Sequence, residues 1–479
     1  MKFKPLLKIL DSNAIDFIHE ASLEILEKIG LKILNSNILK RIEEEGAIVD
    51  YKSQIVKFPH QLVIECVKKA QKQWVIHARN KKFSMKVGFG ELRFQSSGGQ
   101  RFIVDPLKKT RREGTKEDLV KGIKLGDALK NINIVGPMVL PVADIHPKIL
   151  DIYTYVQLIK NSSKVVFTWI NSAKSAFYII KIFEILAGGE EELRKKPMIW
   201  YFGEPTSPLT IEYETAEIIR IFAEKGFPIT FGPMVMSSIT GPATLAGTLA
   251  LENAEILGAT TMAQLINYGV PIEYGGIPHI FDQKSGNISF GSPEQALMAI
   301  AMTQIGRYYG FPVHINVGLT DAKIPDAQSG LEKGITMVIG AMAGAELFGH
   351  LGIAGMDQGA SLEQLMIDNE IIEYVKRIVE GFDINNETIA LDVISKVGPG
   401  GSFLTHPHTF KYVPTEFFYP KLCDRKDWFE WKKAGAKDLL VKANEEVLKL
   451  IAEHCYEPLD KDIETEIEHI FKIAQNKLI

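Results

Sequence analysis

Cysteine is nearly missing from this chain, and its three copies, Cys66, Cys423 and Cys455, stand far apart without CxxC spacing. That excludes a disulfide framework and a thiolate zinc site, and it fits a reducing cytoplasm. No strongly charged segment occurs: 55 basic residues face 59 acidic ones for a formal charge of −4, so nothing tracks a phosphate backbone and nucleic acid is not an expected partner. Long apolar runs are lacking too. The most apolar helical stretch, Gly334 to Phe348, is too short for a bilayer span and contains Glu346, which reads as a tightly packed core helix running into a strand. The N-terminal Met1 to Pro5 leads into an amphipathic helix rather than an apolar run with a cleavage site, so no signal peptide is expected. No GxGxxG follows an early strand, which argues against dinucleotide binding.

What is present is a large apolar fraction, 46% of 479 residues, enough for a sizeable core. Residues 1–90 read as an N-terminal helical cap, with Ile15, Ile18, Ser22, Ile25, Leu26 and Ile29 on one stripe, a stop at Gly30 and a second helix from Pro59. Between Arg93 and Thr115, Gly98-Gly99 and Asp105-Pro106 indicate a hairpin-like excursion, and Thr115 with Asp118 resembles a helix N-cap. Short β-branched or aromatic runs then alternate with helical patterns. The runs are Leu92 to Ser96, Ile132 to Leu140, Val165 to Ile170, Met198 to Phe202, Ile229 to Met236, Ile272 to Gly275, Val313 to Val317 and Glu346 to Leu351. Three of them are entered by one local sequence, Gly226-Phe-Pro, Gly269-Val-Pro and Gly310-Phe-Pro, in which Gly ends a helix and Pro opens a strand. Eight βα units with a reused junction predict an α/β fold, a (β/α)8 TIM barrel over residues 91–385. Residues 386–479 form a C-terminal loop and helical segment, with helical patterns at Asn386 to Lys396 and Asp427 to His454.

In such a barrel side chains alternate between the interior and the helices, and reactive groups sit at the C-terminal rim of the strands. With Ile229, Ile272 and Val313 toward helices, Thr230, Glu273 and His314 turn inward and Asn316 lies one layer higher. The same alternation places Arg93 and Gln95 inward on the first strand, and Glu346 and His350 inward on the last. Arg93 and Glu346 read as a buried ion pair; His350 and Asn316, nearer the rim, read either as functional groups or as a satisfied core histidine and a capping amide. The rim loops Gly203-Glu-Pro-Thr-Ser-Pro, Thr240-Gly-Pro-Ala-Thr, Gly275-Gly-Ile-Pro and Gly318-Leu-Thr-Asp-Ala-Lys shape backbone near a ligand and bring in Glu204 and Lys323. Asp321, Lys323 and Asp326 also suit solvated loop charges. Phe94, Trp169, Tyr201, Phe231, Tyr274 and Phe281 lie near strand ends, suited to core packing or to a cation. His406-Pro-His408 is the one close histidine pair, without a carboxylate or cysteine at ligand spacing, so it reads as structural and no metal is expected.

Gly232-Pro-Met-Val-Met-Ser-Ser-Ile-Thr-Gly-Pro-Ala-Thr, Gly318-Leu-Thr-Asp-Ala-Lys-Ile-Pro-Asp-Ala-Gln-Ser-Gly-Leu-Glu and His406-Pro-His-Thr resemble segments of the trimethylamine methyltransferase family. The likeness extends to Phe58-Pro, the Asp105-Pro to Asp118 region and Trp428 to His454, so it covers nearly the whole chain. It implies a (β/α)8 enzyme that demethylates an amine and methylates a cobalt centre; the corrinoid, a cobalamin, is presented by a partner protein and not held permanently here. The family's pyrrolysine would fall in or near Gly318 to Lys323, where only ordinary residues stand. The chain therefore resembles the branch lacking pyrrolysine, whose members include enzymes for glycine betaine and other quaternary amines. Under that reading His350 and Asn316 are the catalytic candidates, and Arg93, Phe94, Gln95, Glu204, Glu273, Tyr274, His314 and Lys323 bind substrate. His350 is favoured as the charge-assisted partner of a substrate carboxylate, ahead of Arg93 and Lys323, while Tyr274 and Glu273 face the cation. Demethylation of trimethylamine or another methylated compound, or a non-catalytic binding barrel, are the alternatives, and a homo-oligomer is compatible with the many helical faces.

Overall fold

In the computed structural model, which describes residues 6–479, every one of the eight apolar runs contains a parallel strand followed by a helix. The strands are β1 Arg93–Ser96, β2 Ile134–Val135, β3 Val165–Val166, β4 Tyr201–Gly203, β5 Ile229–Phe231, β6 Ile272–Tyr274, β7 His314–Ile315 and β8 Leu347–Leu351. The helices after them are α1 Lys116–Ala128, α2 Leu150–Asn161, α3 Ala173–Ala187, α4 Tyr213–Lys225, α5 Leu245–Ile266, α6 Pro293–Tyr308, α7 Ala327–Ala343 and α8 Leu362–Glu380. Met1 to Pro5, read above as leading into a helix, lies outside the described residues.

The repeated Gly-x-Pro junction works as its residues require. Gly226, Gly269 and Gly310 have φ of 73°, 87° and 79°, the left-handed region that ends a helix without a Cβ penalty. Each proline gives up no ladder donor, yet its carbonyl is used: Tyr201 N donates to Pro228 O at 3.1 Å, Ile229 N to Pro271 O at 3.0 Å and Tyr274 N to Pro312 O at 3.0 Å. Each junction thus stitches its strand to the preceding one.

Hydrogen bonding orders the strands β3-β2-β1-β8-β7 in one sheet and β4-β5-β6 in another, and a parallel bridge between Tyr274 and Val313 joins β6 to β7. The fold is therefore α/β, with eight parallel strands in sequential neighbourhood. Among the described residues no ladder joins β3 to β4, so the closed barrel expected from the sequence is open at that junction. Bulky rings occupy it instead: Phe167 stacks on Trp200 with centroids 5.3 Å apart and meets Phe202 edge-on at 6.3 Å.

The face opposite the helices is closed at the N-terminal end of the strands by an antiparallel hairpin, Trp74–Ile76 with Met85–Val87. Its Ile76, Met85 and Val87 pack with Ile134, Val165, Trp200 and Leu347.

Residues 1–90 are not purely helical, as the stripe alone suggested. Ser12–Glu24 continues as a π-helical turn Ile25–Ile29 to Gly30, and Ser36–Glu44 and His60–Lys69 follow, but a small mixed sheet, completed by a parallel strand Thr210–Ile211 from the loop after β4, holds the antiparallel strands Leu31–Ile33, Ile48–Asp50 and Ile55–Lys57. These strands have three residues each, too few for periodicity to declare them. The excursion after β1 is a hairpin, Phe102–Asp105 with Thr110–Glu113, and Thr115 with Asp118 makes a reciprocal capping box on α1. The helix read from Gly334 starts earlier, at Ala327, because Asp326 and Ser329 cap it. In the C-terminal segment, Asn386 to Lys396 is two short helices around Ala390 at φ 53°, and Asp427 to His454 is interrupted by Gly435 at φ 96°. Among the described residues no helix is long and apolar enough to cross a membrane.

Candidate functional site

The inner face of β1, β5, β6, β7 and β8 carries an unusual number of buried polar groups. Thr230 Oγ1 donates to Glu273 Oε2 at 2.5 Å, and His314 Nδ1 lies 3.6 Å from the same oxygen. One layer higher, the Asn316 side-chain amide donates to His350 Nδ1 at 3.1 Å. Because the donor is an NH2 group, His350 Nδ1 accepts and the ring proton stands on Nε2. The alternation derived from Ile229, Ile272 and Val313 is thus reproduced: those three pack in the helix-facing core, and Thr230, Glu273, His314 and Asn316 face inward.

Many of these groups have no protein partner. Both amide atoms of Gln95, Glu273 Oε1, Asn316 Oδ1 and both ring nitrogens of His314 are buried without a hydrogen bond, as are both ring nitrogens of His279 on the hairpin after β6. An orphaned buried polar atom costs on the order of 1–3 kcal/mol, so such a cluster is suited to completion by a bound molecule or by water. Aromatic rings wall it: Trp169 meets His350 edge-on at 5.5 Å and Phe202 at 5.7 Å, and Phe202 meets His314 at 5.2 Å.

The electrostatics follow from burial. It pushes His350 down to about 3, helped by His314, and pushes His279 down to about 3, so both rings are neutral at physiological pH. At the mouth, burial lifts Glu204 to about 7, with the Asp357 charge adding to the lift. Asp357, also raised to about 7 by burial, accepts from the Gln100 amide at 2.9 Å.

Buried charges behind the rim fix its loops. Glu252 on α5, whose carboxyl is raised first by burial and then by Glu255, accepts Val235 N at 3.1 Å and Ile277 N at 2.8 Å, holding the loops after β5 and β6. Lys333 Nζ on α7 donates to Gly318 O at 2.7 Å and to Asp368 Oδ2 at 2.9 Å, while that same oxygen accepts Gly352 N at 2.7 Å. Asp321 accepts Ser289 Oγ at 2.6 Å and Phe290 N at 2.8 Å, joining the loop after β7 to the hairpin after β6.

His350 reaches the interior by a different route from simple alternation. Leu347 belongs to the inner apolar cluster and Phe348 stacks on Phe94 at 5.1 Å in the helix-facing core, so Glu346 and His350 are out of phase with the inner face. The register of β8 against β1 shifts between Phe348 and Leu351, and His350 takes φ 64°. That bulge turns its ring inward beside Asn316. Gly349 makes room for it: a Cβ there would stand 2.6 Å from Asn316 Oδ1 and 2.7 Å from His314 Nε2. Gly349→Ala is expected to displace both side chains and lower kcat/KM about 10-fold or more with little loss of fold, measured by steady-state kinetics beside thermal melting.

Several expected residues stand elsewhere. Arg93 begins β1 at its N-terminal end, half-buried and paired with Glu91; Glu346 instead accepts Gly88 N at 2.9 Å, so the expected Arg93–Glu346 ion pair is not formed. Phe94 faces α8, with Lys376 Nζ 5.5 Å over its ring. Tyr274 shares the outward face of Ile272 and donates to Asn253 Oδ1 on α5 at 2.9 Å, as alternation from Glu273 requires. Tyr201 and Phe231 likewise join the helix-facing core, and Phe281 is half-buried on the hairpin after β6. Lys323 is exposed and folds back onto Asp321 O at 2.7 Å. His350, being neutral, offers an ordinary N–H rather than a charge-assisted one. His406 Nδ1 accepts His408 N at 3.2 Å, a helix cap. Sequence reasoning missed His279, Phe202, Asp357 and Glu252. Only Phe202 carried a signal, since Trp200 and Phe202 alternate with Tyr201.

The family model described as Trimethylamine methyltransferase (MTTB) matches residues 2–477. Trimethylamine methyltransferase MttB of Desulfitobacterium hafniense (strain DSM 10664 / DCB-2) is 34% identical, covering 96% of this chain and 92% of the relative. Glycine betaine methyltransferase of Desulfitobacterium hafniense (strain Y51) is 32% identical, covering 97% and 96%. The solved Methanosarcina barkeri monomethylamine methyltransferase shares the fold, with a TM-score of 0.56 at 14% identity over 100% of this chain and 89% of that one. The chain belongs to the trimethylamine methyltransferase family.

Proposed function

We propose that this chain moves a methyl group from a quaternary amine, glycine betaine or a related betaine, to the Co(I) centre of a corrinoid carried by a separate protein, within a barrel made by β1 to β8. The observation that carries the reading is the cluster of buried polar atoms without protein partners beside Trp169 and Phe202, with carboxylates at Glu273 and Glu204. Aromatic faces and carboxylates suit a bulky cation that brings no hydrogen-bond donor on nitrogen. Ordinary residues at Gly318 to Lys323 support the quaternary branch, as does the family's inclusion of a relative named for glycine betaine.

A quaternary nitrogen already carries its charge. When Co(I) attacks the methyl carbon, the C–N bonding pair departs with nitrogen as a neutral tertiary amine, and no proton has to be supplied. Histidines held neutral are compatible with that demand. The work left to the protein is orientation and exclusion of water. His350 Nε2–H, set by Asn316, and the Gln95 amide are the inner donors for a substrate carboxylate, while Arg93 and Lys323 stand away from the chamber.

Mixing the chain with reduced corrinoid protein and a panel of methylated amines, read by cobalt absorbance, tests this. Conversion of Co(I) to methyl-Co(III) with a betaine is the expected result. Conversion with trimethylamine alone rejects the quaternary assignment, and no conversion with any donor leaves a binding barrel. kcat/KM for the betaine is expected to rise as pH passes upward through about 7, because Glu204 and Asp357 attract the cation only when ionised. Glu204→Gln should flatten that rise and lower kcat/KM roughly 5-fold on the alkaline side.

A further inference from the structure

Glu255 is a carboxylate that the proposed chemistry does not use, and it lies wholly buried in the middle of α5. A carboxylate taken out of water is costly unless donors meet both of its oxygens. Both donors come from one rim loop: Leu209 N donates to Oε1 at 2.6 Å and Ser207 Oγ to Oε2 at 2.7 Å. Burial lifts the Glu255 carboxyl to about 7, and these two donors oppose the lift. The loop is the one that follows β4 and begins with Glu204.

The shape of that loop depends on being held. Thr206 N donates to Thr210 O at 2.7 Å and Thr210 N to Thr206 O at 3.1 Å, so residues 206–210 close on themselves, with Leu209 left-handed at φ 54°. A non-glycine residue keeps that φ only where its surroundings impose it. Two sides impose it here. Lys32 N, on the N-terminal cap sheet, donates to Leu209 O at 2.8 Å, while α5 takes the Leu209 N–H through Glu255.

We infer that Glu255 is a positioning residue for Glu204: by holding the 206–210 turn against α5 it fixes where the Glu204 carboxylate stands at the mouth. Only Pro205 separates Glu204 from the closed turn, and its fixed φ leaves little slack between them. Glu252, three residues earlier on the same face of α5, grips Val235 N and Ile277 N in the loops after β5 and β6. One helix thereby sets three consecutive rim loops. The effect on methyl transfer rests on the proposed function; the clamp itself does not.

Amide exchange and steady-state kinetics on the full chain test the inference. In Glu255→Ala, exchange at Leu209 should rise about 100-fold or more while β5 keeps its protection. Unchanged exchange overturns the clamp, whether or not the chain transfers methyl groups. On the alkaline side of Glu204, KM for glycine betaine should rise about 5-fold with kcat within about 2-fold, because Glu204 attracts the cation before the methyl group moves. Adding Glu255→Ala to Glu204→Gln should cost nothing further, since both changes remove the action of one carboxylate. A fall in kcat instead, or losses that multiply, overturns the positioning role. Glu255→Gln should restore KM, because its amide oxygen accepts Leu209 N and its NH2 donates to Ser207 Oγ; KM as high as in the alanine variant also overturns it. If Glu255→Ala does not fold, Ser207→Ala decides, with KM expected to rise about 2-fold or more and an unchanged KM rejecting the role. If no donor is turned over, the proposed function fails and the exchange result alone decides the clamp.

Discussion

His350→Ala is expected to lower kcat/KM for methyl transfer roughly 100-fold, about 2.7 kcal/mol, with the melting temperature nearly kept. Two linked features carry this expectation. A bulge at β8 brings the ring inward, and Asn316 donates to Nδ1 and thereby leaves the proton on Nε2. An oriented donor in a chamber of low dielectric is worth more than the same donor in water, which is why the expected loss exceeds an ordinary hydrogen bond. Asn316→Asp should cost at least as much, since a carboxylate accepts rather than donates and would draw the His350 proton to Nδ1. In a double-alanine variant the two losses should not add, because both remove one oriented N–H. Burial holds His350 near about 3, so no imidazole ionisation should appear in the rate near neutral pH. Unchanged substrate affinity and transfer in His350→Ala would reject this role.

Lys333→Ala should be the most damaging of the changes to stability, at about 3–5 kcal/mol. Lys333 and Asp368 are fully buried partners; burial pushes the ammonium down and Asp368 opposes it. Removing the lysine strands a carboxylate in the interior and frees Gly318 O, while Asp368 retains Gly352 N and the Gln364 amide. Lys333→Met with Asp368→Leu should recover much of the stability, because no charge is left unpaired, and yet lose activity as the loops after β7 and β8 are released. Denaturant unfolding beside kinetics separates these effects. Equal stability of Lys333→Ala and wild type would show that the pair does not hold the rim.

Local chemistry made the βα order readable from residues alone. Gly-x-Pro junctions impose a left-handed cap and a donor-free strand start wherever they stand, and a two-residue period assigns Thr230, Glu273, His314, Asn316 and Gln95 to one face before any packing is known. Tyr274 belonged outward on the same grounds. Tertiary structure alone decided the remainder. The bulge that turns His350 inward depends on how β8 registers against β1, and the ring-filled junction between β3 and β4 depends on how Phe167 meets Trp200. His279 and Asp357 stand on hairpins whose direction no period encodes. Glu252, Lys333 and Asp368 lie on helices, and their carboxyl and ammonium groups acquire meaning only from the loop amides and carbonyls that the fold carries to them. Alternation fixes which side of a strand a residue takes; which partner it finds there is a matter of distance through space.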